Sequence, residues 1–206
     1  RRDQRDVDGA TGGTVVTGGL LSTTDTGVIR TVNAGTATLA NLTSSGTVNV
    51  VNNSFLTLQG TVTNNGALNF NSVGNFTDLL VSGAVTLAGN GTTTLSNASA
   101  NRIRAAAPGA QLTVGAGQTV QGSGQFGAGG AMALVNQGTI TANQSNALNV
   151  DMTGAVQNAA GGLMQATGGA NLNLVQTLSN AGTLAANGGV VNASAGFNGN
   201  GTALIT

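Results

Sequence analysis

Apolar residues in this chain come in short alternating bursts. TVNV stands at 47–50, FLTL at 55–58, ALNF at 67–70 and AVTL at 84–87. QLTV follows at 111–114, TIT at 139–141, ALNV at 147–150 and NLNL at 171–174. An apolar residue at every second position over a few residues is the strand pattern, because successive side chains leave a strand on opposite faces. Gly or Asn closes most bursts. With 34 Gly in 206 residues, long helices are disfavoured, since each interior Gly costs about 1 kcal/mol relative to Ala.

The bursts recur at a nearly fixed distance. NQGTITA begins at Asn136, NAAGGLMQA at Asn158, NAGTLAA at Asn180 and NGTALI at Asn200, spacings of 22, 22 and 20. SSGTVNV and NNGALNF place Gly46 and Gly66 20 apart. A second phrase interleaves with the first: LTLQGTVTNNG, LLVSGAVTLAGNG and LNVDMTGAVQNAAG each run strand, turn, strand, turn. A unit of about 20–24 residues therefore holds two or three short strands. Such a unit cannot bury its own apolar side and must stack on copies of itself, which is a solenoid.

The fold class expected is all-β, a right-handed parallel β-helix, the hand following from the usual crossover rule. Residues 1–30 read as a charged segment with a capping or first coil, and 31–206 as the β-solenoid. The inward, core-stacking positions expected are Val48, Val50, Leu56, Leu58, Leu112, Val114, Ile140, Leu148, Val150, Leu172 and Leu174. Asn and Gly suit the corners, where a left-handed backbone is needed. Equivalent Asn side chains can also hydrogen-bond from coil to coil.

The phrases NQGTITANQSNALNV, QLTVGAGQTVQGSGQFGAGG and NAGTLAANGGVV resemble the β-helical passenger regions of secreted bacterial surface proteins. These are the autotransporter and filamentous-haemagglutinin-like adhesins. The likeness spans about residues 31–206. It implies a right-handed parallel β-helix, secretion to the extracellular space or cell surface of a Gram-negative bacterium, and adhesion or matrix building.

Composition narrows the chemistry. Charged residues make up 6% of the chain and aromatics 2%, against about 25% charged in an ordinary domain. The sequence has no His, Cys, Lys, Glu, Tyr or Trp; its ionic groups are six Arg and six Asp, half of them in RRDQRDVD at 1–8. Zero net charge gives no electrostatic reason for a nucleic-acid partner. No apolar run approaches the roughly 18 residues of a membrane span, so no membrane insertion by this segment is expected. The opening RRDQRDVDGA lacks an apolar h-region, which for an exported protein reads as a processed or cut-out piece.

Without the usual acids, bases and nucleophiles, no catalytic, cofactor or metal residues are assigned, and the chain is expected not to be an enzyme. Asp25, Asp78 and Asp151 are 53 and 73 residues apart, too many coils for a catalytic carboxylate pair. Arg102 and Arg104 have no Asp near them in sequence and read as solvated or corner-capping charges. GSGQFG at 122–127 formally matches a dinucleotide-loop pattern but lacks the helix and the distant acid that pattern needs. T-x-T pairs such as Thr92/Thr94 and Thr139/Thr141 suggest an ice-binding array, but other residues interrupt the series. N-x-S/T matches follow from an Asn- and Thr-rich composition.

Open strand edges template pairing unless capped. RRDQRDVD reads as a cap, and Ala203, Leu204 and Ile205 in the terminal GTALIT as candidates for end-to-end association. The function expected is a non-enzymatic extracellular structural or adhesive β-solenoid that self-associates. Its partners are other copies of itself, or host and cell-surface glycans or proteins. The alternatives are a subunit of a head-to-tail filament and, in a different class, a polysaccharide-active β-helix enzyme. Asp and Arg converging on one groove would favour the last.

Overall fold

The computed structural model describes residues 13–205. The charged stretch RRDQRDVD, and with it the expected cap, lies outside them. Among the described residues every regular element is a strand, and every strand pair in the two sheets is parallel.

The strands wind into nine coils. The first holds β1 (Thr14–Thr17), β2 (Leu20–Leu21) and β3 (Ile29–Arg30). The next three use one long and one short strand each. These are β4 (Thr36–Ser44) with β5 (Thr47–Val51), β6 (Phe55–Asn64) with β7 (Ala67–Asn71), and β8 (Thr77–Ala88) with β9 (Thr92–Leu95). Coil five has β10 (Asn101–Ala105), β11 (Ala110–Val114) and β12 (Thr119–Gly122), and coil six β13 (Gly124–Gly130), β14 (Met132–Asn136) and β15 (Thr139–Ala142). Coil seven has β16 (Leu148–Met152), β17 (Val156–Asn158) and β18 (Leu163–Thr167). Coil eight has β19 (Asn171–Leu174), β20 (Leu178–Asn180) and β21 (Thr183–Asn187). Coil nine closes the series with β22 (Val190–Ala193), β23 (Phe197–Asn198) and β24 (Thr202–Ile205).

A 15-stranded sheet forms two sides of the rod and a 9-stranded sheet the third. The first two sides meet at a bend. In coils two to four the bend lies inside β4, β6 and β8, marked by register shifts at Ala40/Leu42 and Gln59/Gly60. Gly83, with φ of 71°, sits at this bend in β8, where a side chain would be strained. From coil five onward the bend separates two strands, so β8 pairs with both β10 and β11.

Like stacks on like inside the rod. One core column runs Leu56, Leu79, Ile103, Phe126, Val150, Leu174. A second runs Leu112, Leu134, Val156, Leu178, Phe197, and a third Val48, Leu68, Thr93, Val120, Ile140, Met164, Leu184. Val48, Val50, Leu56, Leu58, Leu112, Val114, Ile140, Leu148, Val150, Leu172 and Leu174 are all buried in this one apolar cluster. Burying each such side chain contributes about 2 kcal/mol. Eight steps of about 4.8 Å give a rod roughly 40 Å long.

The second column steps by 22 residues from 112 to 134, 156 and 178, then by 19 to Phe197. The repeated sequence phrase aligns Asn200 with Asn180, a step of 20. The observed pairing of Ser179 with Asn198 instead sets Gly199 against Asn180, because the corner 188–189 that leads into coil nine is one residue shorter than the corner 168–170 one coil back.

Asn136, Asn158 and Asn180 do not merely turn corners; they are buried and face inward. Asn136 Nδ2 donates to Asn158 Oδ1 at 2.8 Å, and Asn158 Nδ2 to Asn180 Oδ1 at 2.8 Å. Each Nδ2 also donates to a carbonyl of the next coil, on Leu163, Thr183 or Thr202. The phrase glycine beside this ladder serves close approach. A Cβ on Gly162 would stand 2.6 Å from Asn158 Oδ1 and 2.5 Å from the Asn136 carbonyl.

Candidate functional site

The outward face of the first side carries a polar column in register. It runs Phe55, Asp78, Arg102, Gln125, Asn149, Asn173, Asn192. In its later coils it is an amide ladder: Asn173 Nδ2 donates to Asn149 Oδ1 at 2.7 Å, and Asn192 Nδ2 to Asn173 Oδ1 at 2.8 Å. Such a ladder links amide to amide without charge. At coils four and five the chain abandons it for ionic residues.

Alternation in β8 turns Leu79 and Val81 inward and Asp78 outward, yet Asp78 is 0% exposed. Its roof is made by the next coil. Arg102 Nε donates to Asp78 Oδ1 at 2.8 Å and its Nη2 to Oδ2 at 2.7 Å, a bidentate pair. Arg104, two residues on and on the same face, donates Nε to Oδ2 at 2.6 Å. Phe76, in the corner before β8 and 53% exposed, stacks under Arg102 with the guanidinium carbon 3.5 Å from the ring centroid. Charge-assisted bonds and stacking of this kind fix both guanidiniums.

Arg102 and Arg104 are thus not free surface charges. Parallel stacking brings Asp78 beneath them from 24 and 26 residues away. The sequence signal was available: one coil period of 24 added to Asp78 lands on Arg102. Sequence proximity was the wrong measure of distance here.

The cluster holds two cations and one anion, so one formal positive charge is left over. Arg104, with a side chain 36% exposed, uses only Nε toward Asp78, and its two Nη groups make no hydrogen bond among the described residues. The arrangement can hold an anion. Both Asp78 oxygens accept guanidinium N–H bonds, and the carboxylate is sealed from solvent beneath the two arginines. Asp151 lies on β16, three coils on along the same side, roughly 14 Å away at 4.8 Å per coil. Paired glycosidase carboxylates stand about 5–9.5 Å apart. Asp25 occupies a corner of the first coil with φ of 52°.

Two other places are accounted for. An apolar recess between coils one and two is lined by Val16, Leu21, Ile29, Val32, Leu39 and Val48; among the described residues Arg30 is its one ionic lining group. In coil nine, Phe197 and Ile205 continue core columns but are 50% and 89% exposed, and Leu204 is also exposed. Ala203 stacks on Leu184, Leu204 on Ala185 and Ile205 on Ala186; all of β24 is exposed. Thr92, Thr119 and Thr139 stack on the third side, but Ala67 and Leu163 flank them, so the threonine array is short.

No protein-family model, curated protein or solved structure matches this chain.

Proposed function

We propose that the chain is a non-enzymatic structural and adhesive β-solenoid of a bacterial cell surface or extracellular matrix. The observation that carries this reading is the outward surface. It is built of neutral Asn, Gln and Thr columns bonded coil to coil, which suit broad, weakly charged contacts with hydroxyl-rich partners. The surface-protein likeness of the repeat phrases supports the extracellular setting.

A polysaccharide-active enzyme is the second reading, favoured by the convergence of Asp78 with Arg102 and Arg104. Against it stand the sealed carboxylate and the separation from Asp151. The test incubates the purified chain with a panel of acidic and neutral polysaccharides, following retention on the polymer and release of new chain ends. Retention without products is expected. Turnover that disappears in Asp78→Asn would overturn the non-enzymatic reading.

The filament reading draws on coil nine, whose β24 exposes Leu204 and Ile205. A further coil stacks there equally well whether it comes from continuing chain or a second copy, and a head-to-tail contact propagates. Electron microscopy of the purified chain over rising concentration separates a discrete rod from a fibre.

A further inference from the structure

This inference deepens the adhesive reading and rests on it. Five features that are rare in this chain meet on the outward face of coils three to five: Phe55, Phe76, Asp78, Arg102 and Arg104. The whole sequence has five Phe and twelve ionic residues, of which two of the five Phe and three ionic groups lie here. Elsewhere the same column is served by Gln125, Asn149, Asn173 and Asn192. A buried ion pair is a poor way to gain stability, because desolvation offsets most of the attraction and neutral residues do as well. Stacking alone therefore does not account for the departure from the neutral ladder.

The geometry points to a binding site for a carboxylate-bearing saccharide, an oligouronate. Asp78 acts as a positioning residue that holds two guanidiniums side by side. Arg104, its side chain 36% exposed and bonded to Asp78 through Nε alone, keeps its Nη edge unused, and a planar carboxylate matches that fork with two parallel N–H···O bonds. The ligand carboxylate also neutralises the one positive charge left over. Phe76, half-exposed and held against Arg102, offers a flat apolar face to a sugar ring. Along the rod axis the amides of Gln125, Asn149 and Asn173 continue the line at about 4.8 Å intervals, where hydroxyl groups of further sugar units find donors and acceptors. A single surplus charge followed by neutral amides does not suit a polyphosphate, which calls for a run of cations.

The test uses the purified chain and a short oligogalacturonate, with its fully methyl-esterified form as the neutral comparison, in titration calorimetry at low salt. Binding of the acid and not of the ester is expected. Arg104→Gln, which keeps the Arg102–Asp78 pair, should weaken binding at least ten-fold. Phe76→Ala should weaken it at least three-fold, and Arg30→Gln, in the first coil, should leave it unchanged. Unfolding curves of the variants verify that each is folded. Equal binding of acid and ester, no binding of the acid by the unaltered chain, or unchanged binding by Arg104→Gln would each overturn the site. An acidic peptide of equal charge that competes as well as the oligosaccharide would overturn the saccharide assignment. Unsaturated or shortened products would overturn the non-enzymatic reading while leaving the site in place. Binding of neutral glycans alone would overturn the site and leave the adhesive reading standing.

Discussion

At the residue scale, two kinds of asparagine do different work. Asn158 is buried and both donates to Asn180 and accepts from Asn136. Replacing it by Leu strands a donor on one neighbour and an acceptor on the other. We expect Asn158→Leu to cost about 2–4 kcal/mol, the range for orphaning buried partners in a linked network. Asn173→Leu, on the partly exposed outer ladder, should cost under about 1 kcal/mol. Denaturant midpoints check both. The ladder also has an open end: Asn136 Oδ1 is buried with no hydrogen-bond partner, and Val114 is its neighbour one coil back. Val114→Asn supplies a donor there, so it should cost far less than Leu112→Asn, a buried polar group with no such partner and a penalty of about 3 kcal/mol. Equal losses for the two would refute that reading of the ladder.

At the element scale, the corners rest on two distinct uses of glycine. Gly161 has φ of 84° and open space around the position of a side chain, whereas Gly162 is hemmed in by the Asn136 carbonyl, Asn158 and the Ala159 carbonyl. Gly161→Ala therefore carries only the backbone strain, about 1 kcal/mol. Gly162→Ala must push two coils apart and should cost clearly more, read by thermal and denaturant unfolding. Strands and corners were largely legible in the sequence: alternation in QLTV and ALNV put Leu112, Val114, Leu148 and Val150 inside. The inward turn of Asn136 was not, because an asparagine two residues before a glycine reads as part of the corner, and only the neighbouring coil supplies its partners. The last register was misjudged by one residue for a similar reason. The phrase NGTALI resembles NAGTLAA, but the corner before Val190 is one residue shorter than its counterpart before Asn171 and shifts the pairing to Ser179 with Asn198.

At the scale of the whole molecule, stacking converts sequence period into proximity. That is how a chain with few charges gathers three of them in one place. The ionic site was legible only through the repeat period: Asp78 and Arg102 share nothing locally and become neighbours one coil of 24 residues apart. Its removal tests whether it is built for recognition or for stability. Asp78→Ala leaves two guanidiniums facing each other over a buried gap and should destabilise the chain by about 3 kcal/mol, as for one partner removed from a buried pair. Replacing Asp78, Arg102 and Arg104 together by Asn, Asn and Thr, the residues other coils use, should leave stability within about 1 kcal/mol of the original. A triple variant as unstable as Asp78→Ala would mean that the cluster is there to hold the rod together.

Fold and ionic site both require Asp78 to lie one coil beneath Arg102. The chain has no cysteine of its own, so a pair of introduced cysteines reports that register directly. Adjacent strands stand about 4.8 Å apart, inside the Cα separation of about 4.4–6.8 Å that a disulfide spans. Asp78→Cys with Arg102→Cys should close an intramolecular disulfide under mild oxidation, seen by mass spectrometry. Asp78→Cys with Gln125→Cys, two coils apart, should stay open. Closure of the second pair in preference to the first, or of neither, would contradict the coil register on which both the fold and the site are built.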